Sequence, residues 1–343
     1  MVIKQVNKST KKVLKPKISV IVPIYNGETD LPDLIDCLCN QSYPSELVEY
    51  LLVDNASCDR TAQIIKAAAK DAVSQGIKIC YLNENEIQSS YAARNAGIRF
   101  SLGEIICFTD ADCRPHPDWV SALVRPFADS EVVLVGGAIV ALPGTTLIEK
   151  YAEQTNLLSH KGLLSNSFCP YAQTANLAIR RKALKKIGLF RPYLTTGGDA
   201  DICWRIQQHN SWQLHCAEEA IVEHRHRKTL KGLLSQWRRY GRSHQYLNEL
   251  HGFKLDAMWN HKTYLRCWKN WFLDEFFQKG IKVIIGKATL LELLTTPIRL
   301  LTIQAKFDGR QKAKLPEEAR QIEWLPNNNL SPKKASTEML ADS

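Results

Sequence analysis

Near its amino terminus the chain reads Ile18-Ser19-Val20-Ile21-Val22-Pro23-Ile24, a run that is apolar at every position except the serine. A strand that faces water on one side alternates apolar and polar residues, whereas a strand buried on both faces is apolar almost throughout. The run therefore predicts a central strand of a parallel sheet that is covered by helices on both faces.

The same alternation of strand and helix patterns continues for the next hundred residues. Three further apolar runs have the length of buried strands, at residues 50–53, 77–82 and 104–109. Amphipathic stretches with helical spacing accompany them, at residues 31–41, 59–75, 88–101 and 117–127. Strands that alternate with helices are joined by right-handed crossovers, so these units predict an α/β fold with a doubly wound, mostly parallel sheet. The less regular pattern beyond residue 130 predicts strands at residues 132–142, 174–179 and 212–222 and helices at residues 181–187 and 199–209.

We divide the chain into four regions. Residues 1–17 form a basic arm with six lysines and no acid, and residues 18–225 form the α/β domain. Residues 226–306 are basic, rich in tryptophan and helical in pattern, and residues 307–343 form a polar tail that we expect to be partly disordered. The apolar stretch 281–303 carries four charged residues and a proline, so we expect it to be buried or to lie on a membrane surface rather than to span a membrane.

The overall composition is that of a folded protein with a phosphate-bearing partner. Of the 343 residues, 45% are hydrophobic and 23% are charged, which excludes global disorder. Lysines and arginines number 45 against 35 acids, a formal charge of +10 that favours nucleotides, nucleic acid or an anionic membrane face as partners. Ten cysteines lack the spacing of a disulfide scaffold or a zinc site, so we expect free thiols in a reducing cytoplasm.

Three aspartates stand where predicted strands end, which is where open parallel sheets bind ligands. Asp54 follows the apolar run at residues 50–53, and Asp110 and Asp112 follow the run at residues 104–109. A single aspartate after a strand is commonly a turn former or a helix cap. Two carboxylates on one short turn are oxygen ligands of the kind that suit Mg²⁺ or Mn²⁺ bound to phosphate.

These aspartates belong to two of four motifs that follow one another along the chain. They read Ile18-Ser19-Val20-Ile21-Val22-Pro23-Ile24-Tyr25-Asn26, then Val53-Asp54-Asn55-Ala56-Ser57-Cys58-Asp59-Arg60-Thr61, then Ala93-Arg94-Asn95-Ala96-Gly97, then Asp110-Ala111-Asp112. In order and approximate spacing they resemble the family 2 glycosyltransferases over about residues 16–226. The resemblance implies a GT-A fold, a nucleotide-sugar donor, a divalent metal ion, Mg²⁺ or Mn²⁺, and inversion at the anomeric carbon.

The resemblance also implies roles for single residues, carried over by position. Asp54 would bind the base of the donor, which we expect to be uracil, and Arg94 would lie near the diphosphate. Asp110 would lie near the ribose and the metal, and Asp112 would be the direct metal ligand. His224, after the last predicted strand, would approach the metal or the diphosphate. The floor of the nucleotide pocket would be formed by Pro23, Tyr25 and Asn26, of which Tyr25 fits core packing equally well.

An inverting transfer also needs a base that removes the proton of the acceptor hydroxyl on the opposite face of the sugar. The segment Gly197-Gly198-Asp199-Ala200-Asp201 resembles the acceptor-side Glu-Asp motif of the family, with Gly198 in place of the glutamate. Asp199 is therefore the predicted base. Asp201 is the alternative, although an aspartate at a helix start serves equally well as a partner of the helix dipole.

A basic segment at residues 225–242 contains seven lysines and arginines with aromatic residues between them. This composition fits nucleic acid, a solvated helix face or anionic lipid. It supports one alternative function, a catalytically degenerate protein that binds nucleic acid or a membrane. The family resemblance favours lipid over nucleic acid, because acceptors of such enzymes are often lipid-linked and Trp259, Trp268 and Trp271 suit a membrane interface.

We therefore expect a non-processive, metal-dependent, inverting hexosyltransferase of cell-envelope or exopolysaccharide synthesis. It would move a hexose from a nucleotide-diphosphate sugar, expected to be a UDP-sugar, to a hydroxyl of a saccharide, lipid or small molecule, in the cytoplasm or peripherally on the cytoplasmic membrane face. Processive members of the family carry spanning helices and a Gln-x-x-Arg-Trp motif, and we identify neither here, since residues 207–212 lack the arginine. A dinucleotide-dependent oxidoreductase is disfavoured because no Gly-x-Gly-x-x-Gly follows the first strand.

Overall fold

The computed structural model describes residues 15–157, 161–164, 166, 168–209, 211–252, 254–255 and 260–326. Most of the basic arm, the end of the polar tail and Trp259 lie outside the described residues.

The described residues form one mixed sheet. Its strands are β1 Ile18–Ile24, β2 Val48–Asp54, β3 Lys78–Asn83, β4 Ile105–Phe108, β5 Cys113–Pro115, β6 Val132–Ala141, β7 Leu177–Arg180 and β8 Gln213–His224. They lie in the order β3-β2-β1-β4-β7-β6-β8-β5. Strands β1 to β4 run parallel to one another, and β6 runs parallel to β8. Strand β7 runs antiparallel to both β4 and β6, and β5 runs antiparallel to β8. The predicted α/β class and mostly parallel sheet are confirmed.

Helices cover both faces of this sheet. They are α1 Leu31–Cys39, α2 Thr61–Val73, α3 Ser90–Phe100, α4 Trp119–Val124, α5 Leu147–Gln154, α6 Lys161–Leu164, α7 Arg181–Ile187, α8 Gly198–Gln207, α9 Leu230–His251, α10 His261–Asn270, α11 Phe276–Ile284 and α12 Leu290–Gln311. A π turn, Trp271–Glu275, joins α10 to α11. Among the described helices, none is both long and apolar enough to cross a membrane.

The central strand β1 explains why the helices divide between two faces. All seven of its residues are buried. Val20 and Val22 join the core that contains α1 and α4, whereas Ile21 joins the opposite core with Ala93 and Ala96 of α3. Because successive side chains of a strand point to opposite faces, a continuous apolar run supplies both cores at once.

The carboxyl-terminal region differs from its predicted division. The boundary at residue 306 falls inside α12, which ends at Gln311. Beyond this helix, Leu315 and Ala319 are buried in the core that contains α3 and α7. The first part of the predicted polar tail is therefore packed against the α/β domain, because two apolar side chains among its charged residues reach the core.

Candidate active site

A cavity of about 640 Å³ opens where β1 and β4 end. Its walls come from the loops after these strands, from the amino-terminal turns of α3 and α8, from the end of β8 and from α9. Eight of the predicted site residues line it: Pro23, Tyr25, Asn26, Arg94, Asp110, Asp112, Asp199 and His224. Asp54 and Asp201 are not among the lining residues.

The turn after β1 forms one edge of the cavity and is tied to the loop after β2. Asn26 has a φ of 52°, a left-handed conformation that asparagine tolerates better than most residues. Its backbone N–H donates to Ser57 Oγ at 2.9 Å, and its Oδ1 accepts from the Cys58 backbone N–H at 2.9 Å. Tyr25 is 54% exposed, so the core-packing alternative for this side chain is wrong.

Asp54 ends β2 and organises the loop that follows it. Its Oδ1 accepts from the backbone N–H of Ser57 at 3.0 Å, and its Oδ2 accepts from the Tyr81 hydroxyl at 3.4 Å. Only 6% of the residue is exposed. These bonds give Asp54 a turn-forming role, and its contact with a nucleotide base stays a prediction.

Arg94 of α3 supplies a buried positive charge to the cavity. It is 3% exposed, and its Nη2 lies 2.6 Å from Asp110 Oδ1. Its Nε is buried and has no hydrogen-bond partner among the described residues. A buried donor without an acceptor is destabilising unless another group satisfies it. Arg94 therefore fits a site for an anion that enters this cavity, in agreement with its predicted position near a diphosphate.

Asp112 and His224 lie side by side because β5 pairs with β8. Cys113 is opposite His224 in that antiparallel register, and Asp112 Oδ1 is 3.6 Å from His224 Nε2. His224 Nδ1 lies 2.9 Å from the carbonyl oxygen of Arg225. Since a carbonyl only accepts, Nδ1 is the donor, and in the neutral ring Nε2 keeps its lone pair for a ligand on the Asp112 side.

This pair fits a divalent cation. One ligand atom each from Asp112, Cys113 and His224 lies within 4.8 Å of the others. Burial raises the pKa of the Cys113 thiol well above its ordinary value, and sulfur is a softer ligand than the oxygens that Mg²⁺ and Mn²⁺ prefer. A carboxylate and an imidazole remain, a combination that suits Mn²⁺ or Mg²⁺ completed by phosphate oxygens. Asp110, also predicted as a ligand, is outside this group and accepts from Arg94 instead.

Two arginines beside the predicted metal pair are neutralised by α1 and the turn before it. Arg114 Nη2 lies 3.0 Å from Asp30 Oδ1 and 2.9 Å from Asp33 Oδ2. Arg225 Nε donates to the same oxygen of Asp30 at 2.9 Å. These ion pairs reduce the positive charge that would otherwise oppose a cation next to Asp112.

Asp199 lies at the start of α8 and lines the same cavity as the turn after β1. The side chain is half-buried, and its Oδ1 accepts from the Thr174 hydroxyl at 2.8 Å. Burial raises the pKa of Asp199, while the nearby Arg94 and the Thr174 hydrogen bond partly oppose the shift. A carboxylate with a raised pKa is a stronger base than an ordinary aspartate at neutral pH.

The glycine that replaces the family glutamate is explained by its neighbour. The Gly198 N–H donates to the Tyr91 hydroxyl at 2.9 Å. A Cβ at position 198 would lie 2.6 Å from the Tyr91 ring, which is closer than real Cβ contacts. Tyr91 therefore occupies the space that a longer side chain would need.

Asp201 is not available as the alternative base. It is completely buried, and its two carboxylate oxygens lie 3.0 Å from Arg191 Nε and from Arg205 Nε. His251 Nε2 is 2.9 Å from Oδ1. Burial alone would raise the pKa of Asp201, but the His251 hydrogen bond and the two arginines outweigh it and lower the pKa to about 2. This side chain joins α8 to the end of α9 and has a structural role.

Helix α9 contributes a wall that the sequence analysis did not predict. Gln236, Arg239 and Tyr240 line the cavity, together with Lys306 of α12. These α9 residues have the spacing Gln-x-x-Arg followed by an aromatic residue, which differs from the motif of processive family members only in having tyrosine for tryptophan. A search that allowed any aromatic residue in the last position would have found this segment.

Two family models match the chain. Glycosyl transferase family 2 matches residues 19–188. Glycosyl transferase family group 2 matches residues 105–302, which is more than half of the chain. Together they extend from β1 into α12.

Two curated relatives have names that describe sugar transfer. Glycosyltransferase AglE of Haloferax volcanii is 36% identical over 186 residues, which cover 54% of this chain and 59% of the relative. Undecaprenyl-phosphate 4-deoxy-4-formamido-L-arabinose transferase of Pectobacterium carotovorum is 34% identical over 142 residues, or 40% of this chain and 41% of the relative. The matched region thus spans about half the length of these curated relatives.

One solved structure extends the likeness to the whole fold. Mannosyltransferase PcManGT from Pyrobaculum calidifontis, in complex with GDP-Man and Mn²⁺, superposes with a TM-score of 0.59 at 18% identity, over 87% of this chain and 88% of that chain. The likeness confirms the predicted GT-A fold. With two family models that agree over the strands and loops described above, the chain belongs to the family 2 glycosyltransferases.

Proposed function

We propose that this enzyme is a metal-dependent, inverting hexosyltransferase that uses a nucleotide-diphosphate sugar and transfers one sugar per encounter. The observation that carries the proposal is a single cavity lined by Arg94, by the Asp112–His224 pair and by Asp199. The first two provide positive charge and metal ligands for a leaving diphosphate, and the third provides a base. No other cavity is needed for the reaction class.

On the donor side, the reaction requires stabilisation of the negative charge on the leaving diphosphate. As the glycosidic bond breaks, charge develops on the diphosphate, and fixed positive groups stabilise it without proton transfer. Arg94 is buried next to the cavity, where water screens its charge little, and it is paired with Asp110 through Nη2. Its Nε has no hydrogen-bond partner among the described residues and can donate to a diphosphate oxygen. Asp112 and His224 would hold the ion, which when bound supplies a second positive charge to the diphosphate oxygens.

On the acceptor side, the reaction requires removal of the proton from the attacking hydroxyl. Thr174 donates to Asp199 Oδ1 and holds the carboxylate in one orientation. We assign the acceptor proton to Oδ2 of the same carboxylate. A hydroxyl that loses its proton to this oxygen attacks the anomeric carbon from the face opposite the diphosphate, and the product is inverted.

The identity of the donor and acceptor is proposed at the level of chemical class. A UDP-sugar remains the expected donor, and GDP-mannose is the comparison because the PcManGT complex contains GDP-Man. The acceptor is a saccharide or a lipid-linked hydroxyl compound, and the relative named for undecaprenyl phosphate supports the lipid-linked class.

The proposal is tested by thermal stabilisation and by donor hydrolysis, with a panel of UDP- and GDP-sugars in the presence of Mn²⁺, Mg²⁺ or a chelator. A donor at about one hundred times its Kd should stabilise the folded enzyme by about 2.7 kcal/mol. We expect one donor to do so only with a divalent ion. Asp112→Asn should abolish the effect, whereas the exposed-site control Asp71→Asn should retain it.

Two results would contradict the proposal. Asp112→Asn could retain full, metal-dependent donor binding, which would remove Asp112 from the site. Alternatively, no nucleotide sugar could bind while oligonucleotides bind tightly and in a salt-sensitive manner, which would favour the alternative of a degenerate nucleic-acid-binding protein.

A further inference from the structure

A helical arm formed by residues 260–290 has one side packed on protein. Helix α10, the π turn and α11 follow one another without a break. On the packed side, Trp271 Nε1 donates to the Leu293 carbonyl at 3.2 Å, and the Thr296 hydroxyl donates to Glu275 at 2.9 Å. The arm is therefore fixed to α12 along one side, and its other side faces solvent.

The solvent side of this arm is apolar. The described residues include seventeen exposed large apolar side chains, and nine of them lie in the arm. Single exposed apolar residues are normal on protein surfaces, whereas a cluster marks a site of interaction. The nine are Leu265, Phe272, Leu273, Phe276, Phe277, Ile281, Ile284, Ile285 and Leu290. Their exposed fractions range from 38% for Phe276 to 85% for Ile284.

The π turn brings these side chains to one side of the helix. Leu265 and Phe272 precede the end of the π turn, and Phe277, Ile281 and Ile284 follow it at helical spacing. In an uninterrupted α-helix the second set would lie more than about 100° around the axis from the first. A π turn contains one extra residue, which rotates the following helix by about this angle. The two sets therefore share one side.

Basic side chains accompany the apolar ones. Five of them are exposed and have no ion pair among the described residues: Lys262, Arg266, Lys269, Lys282 and Lys287. The arm contains two acids, and one of these, Glu275, is already paired with Lys279 at 2.7 Å. Lysine is depleted at protein–protein interfaces, whereas lysines next to aromatic and aliphatic side chains are typical of helices that lie on anionic bilayers.

We propose that the exposed side of this arm binds the surface of an anionic phospholipid bilayer, with its apolar side chains in the interface and its lysines at the headgroup phosphates. Trp268 and Trp271 would lie behind the apolar side chains, where they stiffen the arm by edge-to-face packing at 5.8 Å between ring centroids.

The proposed surface is connected to the cavity through α12. Leu293, which contacts the arm, and Lys306, which lines the cavity, are thirteen residues apart on this helix, or about 20 Å at 1.5 Å per residue. An arm held at the headgroups would thus keep the cavity within reach of an acceptor that is anchored in the same bilayer. The membrane proposal itself does not depend on the donor or on the metal.

The test is flotation of the full-length enzyme with vesicles, either of phosphatidylcholine alone or of phosphatidylcholine and phosphatidylglycerol in equal parts. We expect binding to the anionic vesicles and much weaker binding to the neutral ones. The triple variant Phe272→Ser, Phe277→Ser, Ile284→Ser should lower the partition coefficient at least about tenfold. The control variant Val73→Ser, Leu102→Ser removes exposed apolar side chains outside the arm and should bind like the wild type.

Sedimentation velocity of the wild type and of both variants, without vesicles, tests whether a second copy of the chain covers the apolar side chains instead of a bilayer. Equal vesicle binding by the wild type and the triple variant would overturn the proposal. So would an absence of vesicle binding together with a wild-type dimer that the triple variant loses, because a second copy of the chain would then cover the arm. Donor hydrolysis in solution should be unchanged in the triple variant, so a failure of the proposed sugar transfer would leave the vesicle result intact.

Discussion

At the scale of single residues, two aspartates on the first turn of α8 have opposite surroundings. Asp199 lines the cavity and has a raised pKa, whereas Asp201 is fully buried between Arg191, Arg205 and His251. We predict that Asp199→Asn lowers the rate of sugar transfer by about a hundredfold or more and leaves donor binding and the free energy of unfolding nearly unchanged. Transfer assays and urea denaturation of the same preparations test both parts. Wild-type transfer by this variant would assign the base elsewhere.

The same pair predicts a selective loss of stability. Asp201→Asn leaves two buried arginines without their carboxylate, which should lower the free energy of unfolding by about 3 to 5 kcal/mol. The pKa of Asp201 is about 2 in the folded enzyme, below the value of about 3.9 in an unfolded chain. The contribution of Asp201 to the free energy of unfolding is therefore present above about pH 4 and is lost as the pH falls towards about 2. Urea denaturation across this range should show a steeper acid loss in the wild type than in the variant, and parallel curves would contradict the assignment.

The pH dependence of catalysis follows from the raised pKa of Asp199. A general base acts only when ionised, so the transfer rate should fall on acidification while the pH is still above the ordinary aspartate value of about 3.9. Transfer at saturating donor, measured from neutral pH downwards, tests this expectation. A transfer rate that stays constant down to about pH 4 would show that burial does not raise the pKa of Asp199, or that another group takes the proton.

Sequence reasoning reached both aspartates but not the difference between them. The motif resemblance favoured Asp199, and the helix-start pattern left Asp201 open as the alternative. The two aspartates differ in the partners that the fold brings to Asp201. Arg191 is ten residues away from Asp201 in the sequence, and His251 is fifty residues away. Likewise, Tyr91 filling the space beside Gly198 is a long-range contact. Local pattern carries no information about such partners.

At the scale of elements, α9 and α12 cross with their backbones in contact. A Cβ at Gly241 would overlap the carbonyl oxygen of Lys306, and a Cβ at Gly309 would overlap the carbonyl oxygen of Arg238. Each glycine therefore allows the opposite helix to approach, which is the reason for glycine at both positions. The crossing holds Arg239 and Lys306 at the cavity wall.

We predict that Gly241→Ala lowers the free energy of unfolding by about 3 kcal/mol, because backbone atoms cannot move aside as a flexible side chain can. It should also weaken acceptor transfer, since the two helices would separate at the cavity. The control is Gly280→Ala in α11, where an added Cβ meets nothing within 4 Å and alanine should stabilise the helix by about 0.5 to 1 kcal/mol. Thermal unfolding of both variants provides the measurement, and equal destabilisation would contradict the close crossing.

The elements that sequence reasoning identified are those with long periodic signals. The apolar run of β1 and the helical patterns of α1 to α3 predicted their positions to within a few residues. Strand β5 was missed because three residues carry no periodicity, and its pairing with β8 spans more than a hundred residues. That short strand nevertheless brings Asp112 to His224, so the residues of the predicted metal site were found without the element that joins them.

At the scale of the whole molecule, the α/β class followed from the alternation of patterns, but the sheet order did not. Strand β7 enters antiparallel between β4 and β6, whereas the sequence predicted a mostly parallel sheet and gave no orientation for the strand at residues 174–179. An apolar strand is equally apolar in either direction, so its orientation depends on the connections and not on its residues. The extent of the polar tail was misjudged for a related reason, since Leu315 and Ala319 are two apolar positions among charged ones.

The packed tail leads to a prediction about the integrity of the α/β domain. Residues 313–326 cross α3 and the loop after α7, where Glu323 accepts from Asn95 Nδ2 at 2.7 Å and pairs with Arg99, and the Leu189 backbone N–H donates to the Glu323 carbonyl at 2.7 Å. A chain that ends at Lys312 should lose about 3 to 5 kcal/mol of stability, from the burial of Leu315 and from these bonds. A chain that ends at Pro326 keeps every contact described here and is the matched control. Urea denaturation should show a lower free energy of unfolding for the shorter chain, because its truncation opens the core that supports Arg94 on α3. Equal stability of the two chains would mean that the tail only covers a domain that folds without it.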